Sequence, residues 1–99
     1  TSGRPGQTRA MVLPQASAIA TVIEVRAGDR PGLLHDLGAA LTGAGLSVRS
    51  AHIATYAAQA LDTFYLTQPD GAVLTPAQVA RVVALLIETA DGRDGPVPS

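Results

Sequence analysis

Few side chains in this 99-residue chain are equipped for chemistry. The two histidines, His35 and His52, fall on different predicted elements, and a metal site would need further ligands converging with them. They read as a solvated helix histidine and a half-buried strand histidine. Ser50, His52 and Asp62 supply the residue types of a nucleophile, its base and an orienting carboxylate. Almost any chain of this length offers such a set without the geometry that activates it. Asp29 and Asp36 fare no better as an acid–base pair, because a carboxylate on a helix flank is ordinarily solvated. Gly43-Ala44-Gly45 ends a helix instead of opening one, and the chain contains no lysine, so it holds no phosphate-cradling loop of the P-loop kind. The absence of cysteine removes disulfides, thiolate zinc sites and a thiol nucleophile. The domain alone is therefore not expected to be an enzyme, nor to carry a metal or cofactor.

One constellation stands apart. Asp29-Arg30-Pro31-Gly32-Leu33-Leu34 follows a predicted strand and feeds a predicted helix, which sets backbone N–H groups of a helix start at the end of a strand. That is a natural seat for a carboxylate or other small anion. Arg30 would add a charged donor if it points the same way, and Gly32 permits close approach of a ligand or neighbouring backbone. The alternative is that Pro31 and Gly32 only shape the turn while Asp29 caps the helix. The residues alone favour neither.

The elements that position this turn are legible along the chain. Residues 10–13 form a short apolar edge strand stopped by Pro14, and residues 20–27 alternate as a half-buried strand should. Pro31 suits the first turn of a helix, whose stripe is Leu34, Leu37 and Leu41 with Leu33 on the flank. Gly43 and Gly45 supply a left-handed stop. Two strands follow at 46–56 and 61–67. The connection at 57–60 lacks an Asn-Gly signal, so a looser turn is expected there. Pro69-Asp70-Gly71 marks a turn. Thr75-Pro76-Ala77-Gln78 is a capping box with proline at the first helical position, and it opens a helix buried through Val79, Val82, Val83 and Leu86. The order (β)-β-α-β-β-α predicts an α+β, ferredoxin-like fold with two helices on one face of an antiparallel sheet. No strand follows the second helix, so the N-terminal strand is expected to replace the final one on the edge beside the first.

Composition narrows the partners. Seven arginines against eight acidic residues give a net charge of −1, which offers no basic field for nucleic acid. No apolar run approaches the ~20 residues of a membrane span, and no apolar segment near the N-terminus reads as a signal peptide. Residues 1–9 read as a disordered tail or linker, 10–91 as the domain and 92–99 as a second disordered tail. A chain of this size buries roughly 64% of its unfolded surface, a modest core that pairing with another domain would complete.

Asp-Arg-Pro-Gly-Leu-Leu (29–34), between a strand and a helix of a split βαβ frame, resembles the ACT domain. This is a regulatory module that binds small effectors, mostly amino acids, at domain–domain interfaces. The resemblance covers roughly residues 18–90. A wider string is similar to the C-terminal ACT domains of the PII uridylyltransferase/uridylyl-removing enzyme family: Val-Ile-Glu-Val-Arg-Ala (22–27), Ser-Ala-His-Ile-Ala-Thr (50–55), Ala-Leu-Asp-Thr-Phe-Tyr-Leu-Thr (60–67) and Asp70-Gly71. That resemblance implies an effector loop of Asp29, Arg30, Pro31, Gly32, Leu33 and Leu34. Ser47 and Val48 would form the opposing wall, with Ser47 standing where many such domains have asparagine. It also implies an amino-acid effector, glutamine favoured, and pairing with another ACT domain in cis or as a homodimer. PII protein would be a partner through a parent enzyme in the cytoplasm, transferring either a uridylyl or an adenylyl group. None of such a parent's catalytic motifs is in these residues. Two other readings stay open: an ACT module that only pairs, and an ACT domain of another host such as a (p)ppGpp synthetase/hydrolase.

Overall fold

Strand pairing in this chain follows the alternation of its apolar residues. The computed structural model describes residues 8–13 and 19–91. It runs β1 (Arg9–Val12), β2 (Thr21–Gly28), α1 (Leu33–Gly43), β3 (Ser47–Tyr56), β4 (Gln59–Thr67) and α2 (Pro76–Ala90). The strands form one antiparallel sheet in the order β1-β2-β4-β3. β1 pairs with β2, Arg9 opposite Arg26 and Val12 opposite Ile23, so the early strand takes the edge position beside β2 that the sequence assigned to it. The expected tails lie outside the described residues apart from Thr8 and Arg9, and Arg9 opens β1.

Residues two apart on a strand share a face. Ile23, Val25 and Ala27 of β2 and Ala60, Phe64 and Leu66 of β4 meet Leu33, Leu37 and Leu41 of α1 and Val82 and Leu86 of α2 in one buried cluster. Both helices therefore cover the same sheet face. The α1 stripe departs from expectation by one residue: Leu33 is buried at 3% exposure, whereas Leu34 is 45% exposed. Either leucine satisfies the helical period with Leu37 and Leu41, and the turn ahead of the helix brings the chain in with Leu33 inward. In α2, Val82 and Leu86 are buried, Val79 and Val83 are half-buried, and Thr89 and Ala90 complete the stripe.

The helix termini are locally encoded. Thr75 accepts a hydrogen bond from the Gln78 N–H at 3.2 Å, and the Gln78 side chain accepts one from the Thr75 N–H at 2.8 Å, closing the predicted capping box. At the C-terminus of α1 the Gly45 N–H reaches the Thr42 carbonyl (2.9 Å) and the Leu46 N–H the Leu41 carbonyl (3.2 Å). These are the paired bonds of a Schellman motif. Gly45, at φ +82°, carries the left-handed residue, while Gly43 is the last residue of the helix.

The β3–β4 connection is tighter than its sequence suggests. Tyr56 pairs with Gln59, leaving Ala57 and Ala58 as a two-residue loop with φ of 55° and 63°. Positive φ at both positions is the mark of a type I′ turn, whose twist matches that of the flanking strands. Register, not local preference, holds two alanines in a conformation that costs an L-residue roughly 1–2 kcal/mol.

Candidate functional site

The segment after β2 is shaped by one turn. The Leu33 N–H bonds the Arg30 carbonyl at 3.2 Å across Pro31 and Gly32, and Gly32 sits at φ 79°, ψ 0°. Proline followed by a left-handed glycine across such a bond is the type II signature. Pro31 is thus a turn residue ahead of Gly32, the N-cap of α1, and not part of the first helical turn. No side chain caps this helix start. The N–H groups of its second and third residues, Leu34 and His35, have no partner within a helix by construction. The loop is fastened to the β3–β4 hairpin because the Asp29 N–H donates to the Ala58 carbonyl at 2.9 Å.

Between this turn and the sheet lies a hollow of about 190 Å³. Asp29, Arg30, Gly32, Leu33, Leu34 and His35 line one side, and Ile53 and Thr55 of β3 with Ala60 and Asp62 of β4 line the other. Asp62 stands in the inward-facing row of β4 with Ala60, Phe64 and Leu66 and is 1% exposed. Its Oδ1 is buried without a hydrogen-bond partner. Burial, and secondarily the charge of Asp29, pushes the Asp62 carboxyl above the ordinary aspartate range.

Arg30 does not serve the hollow as a free cation. One guanidinium nitrogen bonds Asp36 Oδ2 at 2.9 Å, and the other terminal nitrogen donates to the Thr89 carbonyl at 2.9 Å, at the C-terminal end of α2. Asp36, expected to be a solvated carboxylate, is half of this ion pair. The anion seat read from the sequence is therefore altered. The uncapped helix start is there, but its arginine is held by Asp36 and Thr89, and carboxylates stand beside it.

Of the residues expected to bind an effector, Asp29, Arg30, Gly32, Leu33 and Leu34 meet at the hollow, while Pro31 shapes the turn without lining it. Val48 lies on a separate, open groove of about 710 Å³ between α1 and β3, shared with Leu34 and His35. Ser47 pairs with Thr67, at the opposite end of the β3–β4 ladder from the hollow. His35, Ile53, Thr55, Ala60 and Asp62 line the hollow in addition to the expected residues. Asp62 had a readable signal: counting by two from Phe64 places it among residues that must face the helices. The alternative constellations do not assemble. His52 pairs with Thr63 and stacks edge-on against Tyr65 (5.5 Å, 69°) on the outer face, while Asp62 faces inward. Among the described residues there is no cluster of three side chains able to hold a metal ion, and no helix long and apolar enough to cross a membrane.

A family model described as the ACT domain matches residues 21–73. The bifunctional uridylyltransferase/uridylyl-removing enzyme of Streptomyces coelicolor is 51% identical over 85 residues, covering 86% of this chain and 10% of that enzyme. The enzyme of the same description from Zymomonas mobilis is 62% identical over 53 residues, 54% of this chain and 6% of its own length. That of Gluconobacter oxydans is 45% identical over 80 residues, 80% and 8% respectively. The chain thus spans about a tenth, or less, of the length of these curated relatives. No solved structure matches it.

Proposed function

The chain belongs to the ACT domain family, and from that premise we propose that it is the effector-sensing module of a cytoplasmic uridylyltransferase/uridylyl-removing enzyme that modifies a PII protein, with glutamine as its ligand. The observation that carries this reading is the hollow beside the Pro31-Gly32 turn. At about 190 Å³ it is smaller than the roughly 300–1,000 Å³ of drug-sized pockets, which suits a single amino acid. It joins unpaired helix N–H groups to a buried carboxylate, so it offers partners to both charges of a zwitterion. The uridylyl group and PII belong to the proposed parent enzyme. Effector binding would act by population shift: the ligand prefers one arrangement of the domain and its neighbours and biases the attached catalytic domains toward it.

Isothermal titration of the full 99-residue chain with L-glutamine is the test. Saturable heat with one site per hollow supports the reading, and no heat at millimolar glutamine refutes direct sensing by this domain.

A specific feature favours a second reading, an ACT module that pairs. β3 is a ten-residue edge strand. Ile53 and Val48 on it, and Leu34 beside it, are 47%, 38% and 45% exposed. A long unpaired edge with apolar side chains is a template for another strand. Sedimentation equilibrium separates the two: a dimer whose association is indifferent to glutamine supports pairing alone.

A further inference from the structure

A carboxylate in the helix-facing row of a central strand needs an explanation. Asp62 sits between Ala60 and Phe64 in that row, opposite Val25 on one neighbouring strand and Ile53 on the other. Every other inward residue of β4 from Ala60 to Leu66 is apolar. Burying an ionisable group with an unpaired oxygen is costly, and such groups are overwhelmingly paired in folded proteins. Among the described residues no cation bonds it: the Arg30 guanidinium, on the wall of the same hollow, bonds Asp36 and Thr89. The acidic neighbour Asp29 adds repulsion. A second observation lies across the hollow, where the start of α1 carries no side-chain cap, so Leu34 and His35 present backbone donors that the fold leaves for another partner. One side of the hollow thus calls for a positively charged donor and the other for an anion.

We propose that Asp62 is the residue that selects the ligand of this hollow: its carboxyl group receives the ammonium group of an α-amino acid whose carboxylate rests on the first-turn N–H groups of α1. The inference rests on the reading of the hollow as an effector site and adds what that site demands of its ligand. Both charges of the zwitterion are required. An acid of the same shape without the ammonium group would bring a further negative charge beside Asp29 and Asp62 and leave the Asp62 carboxyl without a cationic partner. An amine without the carboxylate would leave the helix donors unfilled. The site therefore reports the aminated form of a metabolite and is blind to its deaminated form. The cost to stability of an unpaired buried carboxylate is consistent with this, because local rules are broken chiefly where function requires it.

The test uses the full chain and three ligands of nearly one size: L-glutamine, glutaramate (which lacks the ammonium group) and 4-aminobutanamide (which lacks the carboxylate). L-Glutamine is expected to bind on the order of 10–100-fold more tightly than either analogue, the worth of one charge-assisted hydrogen bond. In Asp62→Asn the preference for L-glutamine over glutaramate should fall to within about threefold, because the charge that distinguishes them is gone. If glutaramate matches L-glutamine on the unaltered chain, or if Asp62→Asn keeps the full preference, Asp62 is not the selector although the effector reading stands. If neither L-glutamine nor any other α-amino acid binds the unaltered chain, both the selector and the effector reading fall. Should Asp62→Asn not unfold cooperatively, Asp62→Ser is compared instead and should lose the preference in the same way, while Asp29→Asn should keep it; loss of the preference in Asp29→Asn alone overturns the assignment to Asp62.

Discussion

Two adjacent alanines held at φ 55° and 63° make the β3–β4 turn a place where removing a side chain should strengthen the protein. A left-handed backbone costs an L-residue roughly 1–2 kcal/mol. Replacing alanine by glycine removes that cost but loosens the unfolded chain, which returns about 0.4–1 kcal/mol. Ala58→Gly should therefore stabilise by about 0.5–1 kcal/mol. Adding Ala57→Asn, a residue that tolerates the left-handed region, should bring the double variant to about 1 kcal/mol or slightly more. For a domain of this size 1 kcal/mol raises Tm by about 4–8 °C. Urea and thermal unfolding followed by circular dichroism measure this directly. The control is Ala80→Gly on the exposed side of α2, where the backbone is helical and the same chemical change should cost about 1 kcal/mol. The diagnostic result is opposite signs for one substitution at two places. If Ala58→Gly destabilises as Ala80→Gly does, the turn is not strained and the reasoning fails.

Other perturbations follow from the same geometry. Asp62→Asn should raise stability at neutral pH by about 1 kcal/mol, since it removes a buried charge and its repulsion with Asp29. Because the folded Asp62 carboxyl titrates above its unfolded counterpart, the folded state holds a proton that the unfolded chain has already lost. Stability from this group thus falls as pH rises between those two values. The variant should flatten that slope, and denaturant midpoints taken across the acidic range, repeated with His35→Gln to remove the neighbouring histidine, check it. Gly32→Ala should cost about 1 kcal/mol from backbone conformation alone, because no atom lies within 4 Å of the place its Cβ would occupy. Leu37→Ala, at 0% exposure in the centre of α1, should cost about 2–5 kcal/mol in the same unfolding assay. Thr75→Ala should cost about 1 kcal/mol through loss of the capping box.

What could be read from the residues was what neighbours in the chain decide. The Thr75–Gln78 box, the Gly45 stop and the alternation of β2 and β4 depend on contacts within a few residues, and the structure has each of them. The edge position of β1 was also legible, because a split βαβ frame without a late strand leaves one open place for it. The misplacements share a different cause. The Ala57-Ala58 turn is set by the register of two long strands, and neither alanine carries a mark of it. Arg30 could not be aimed from the sequence, since the Thr89 carbonyl it meets lies 59 positions away. Proline suits both a first helical turn and the second position of a type II turn, so Pro31 by itself fits either place. The Gly32 that follows it decides between them.

The replacement of a late strand by β1 also bears on how the sheet is assembled. Partners in the β1–β2 ladder lie 11 to 17 positions apart, whereas a strand placed after α2 would have to reach β2 across α1, the hairpin and α2 together. Loop-closure entropy rises with the length of chain enclosed, and folding slows as contacts become less local. Moving the edge strand to the front of the domain thus lowers its contact order and makes closure of that edge a hairpin event. It also brings the ends of the described domain together, as the hydrogen bond from Thr8 to the Asp91 carboxylate shows. Among the described residues the strand order is that of a circularly permuted ferredoxin-like sheet, with β1 and α2 meeting where a connecting loop would otherwise run.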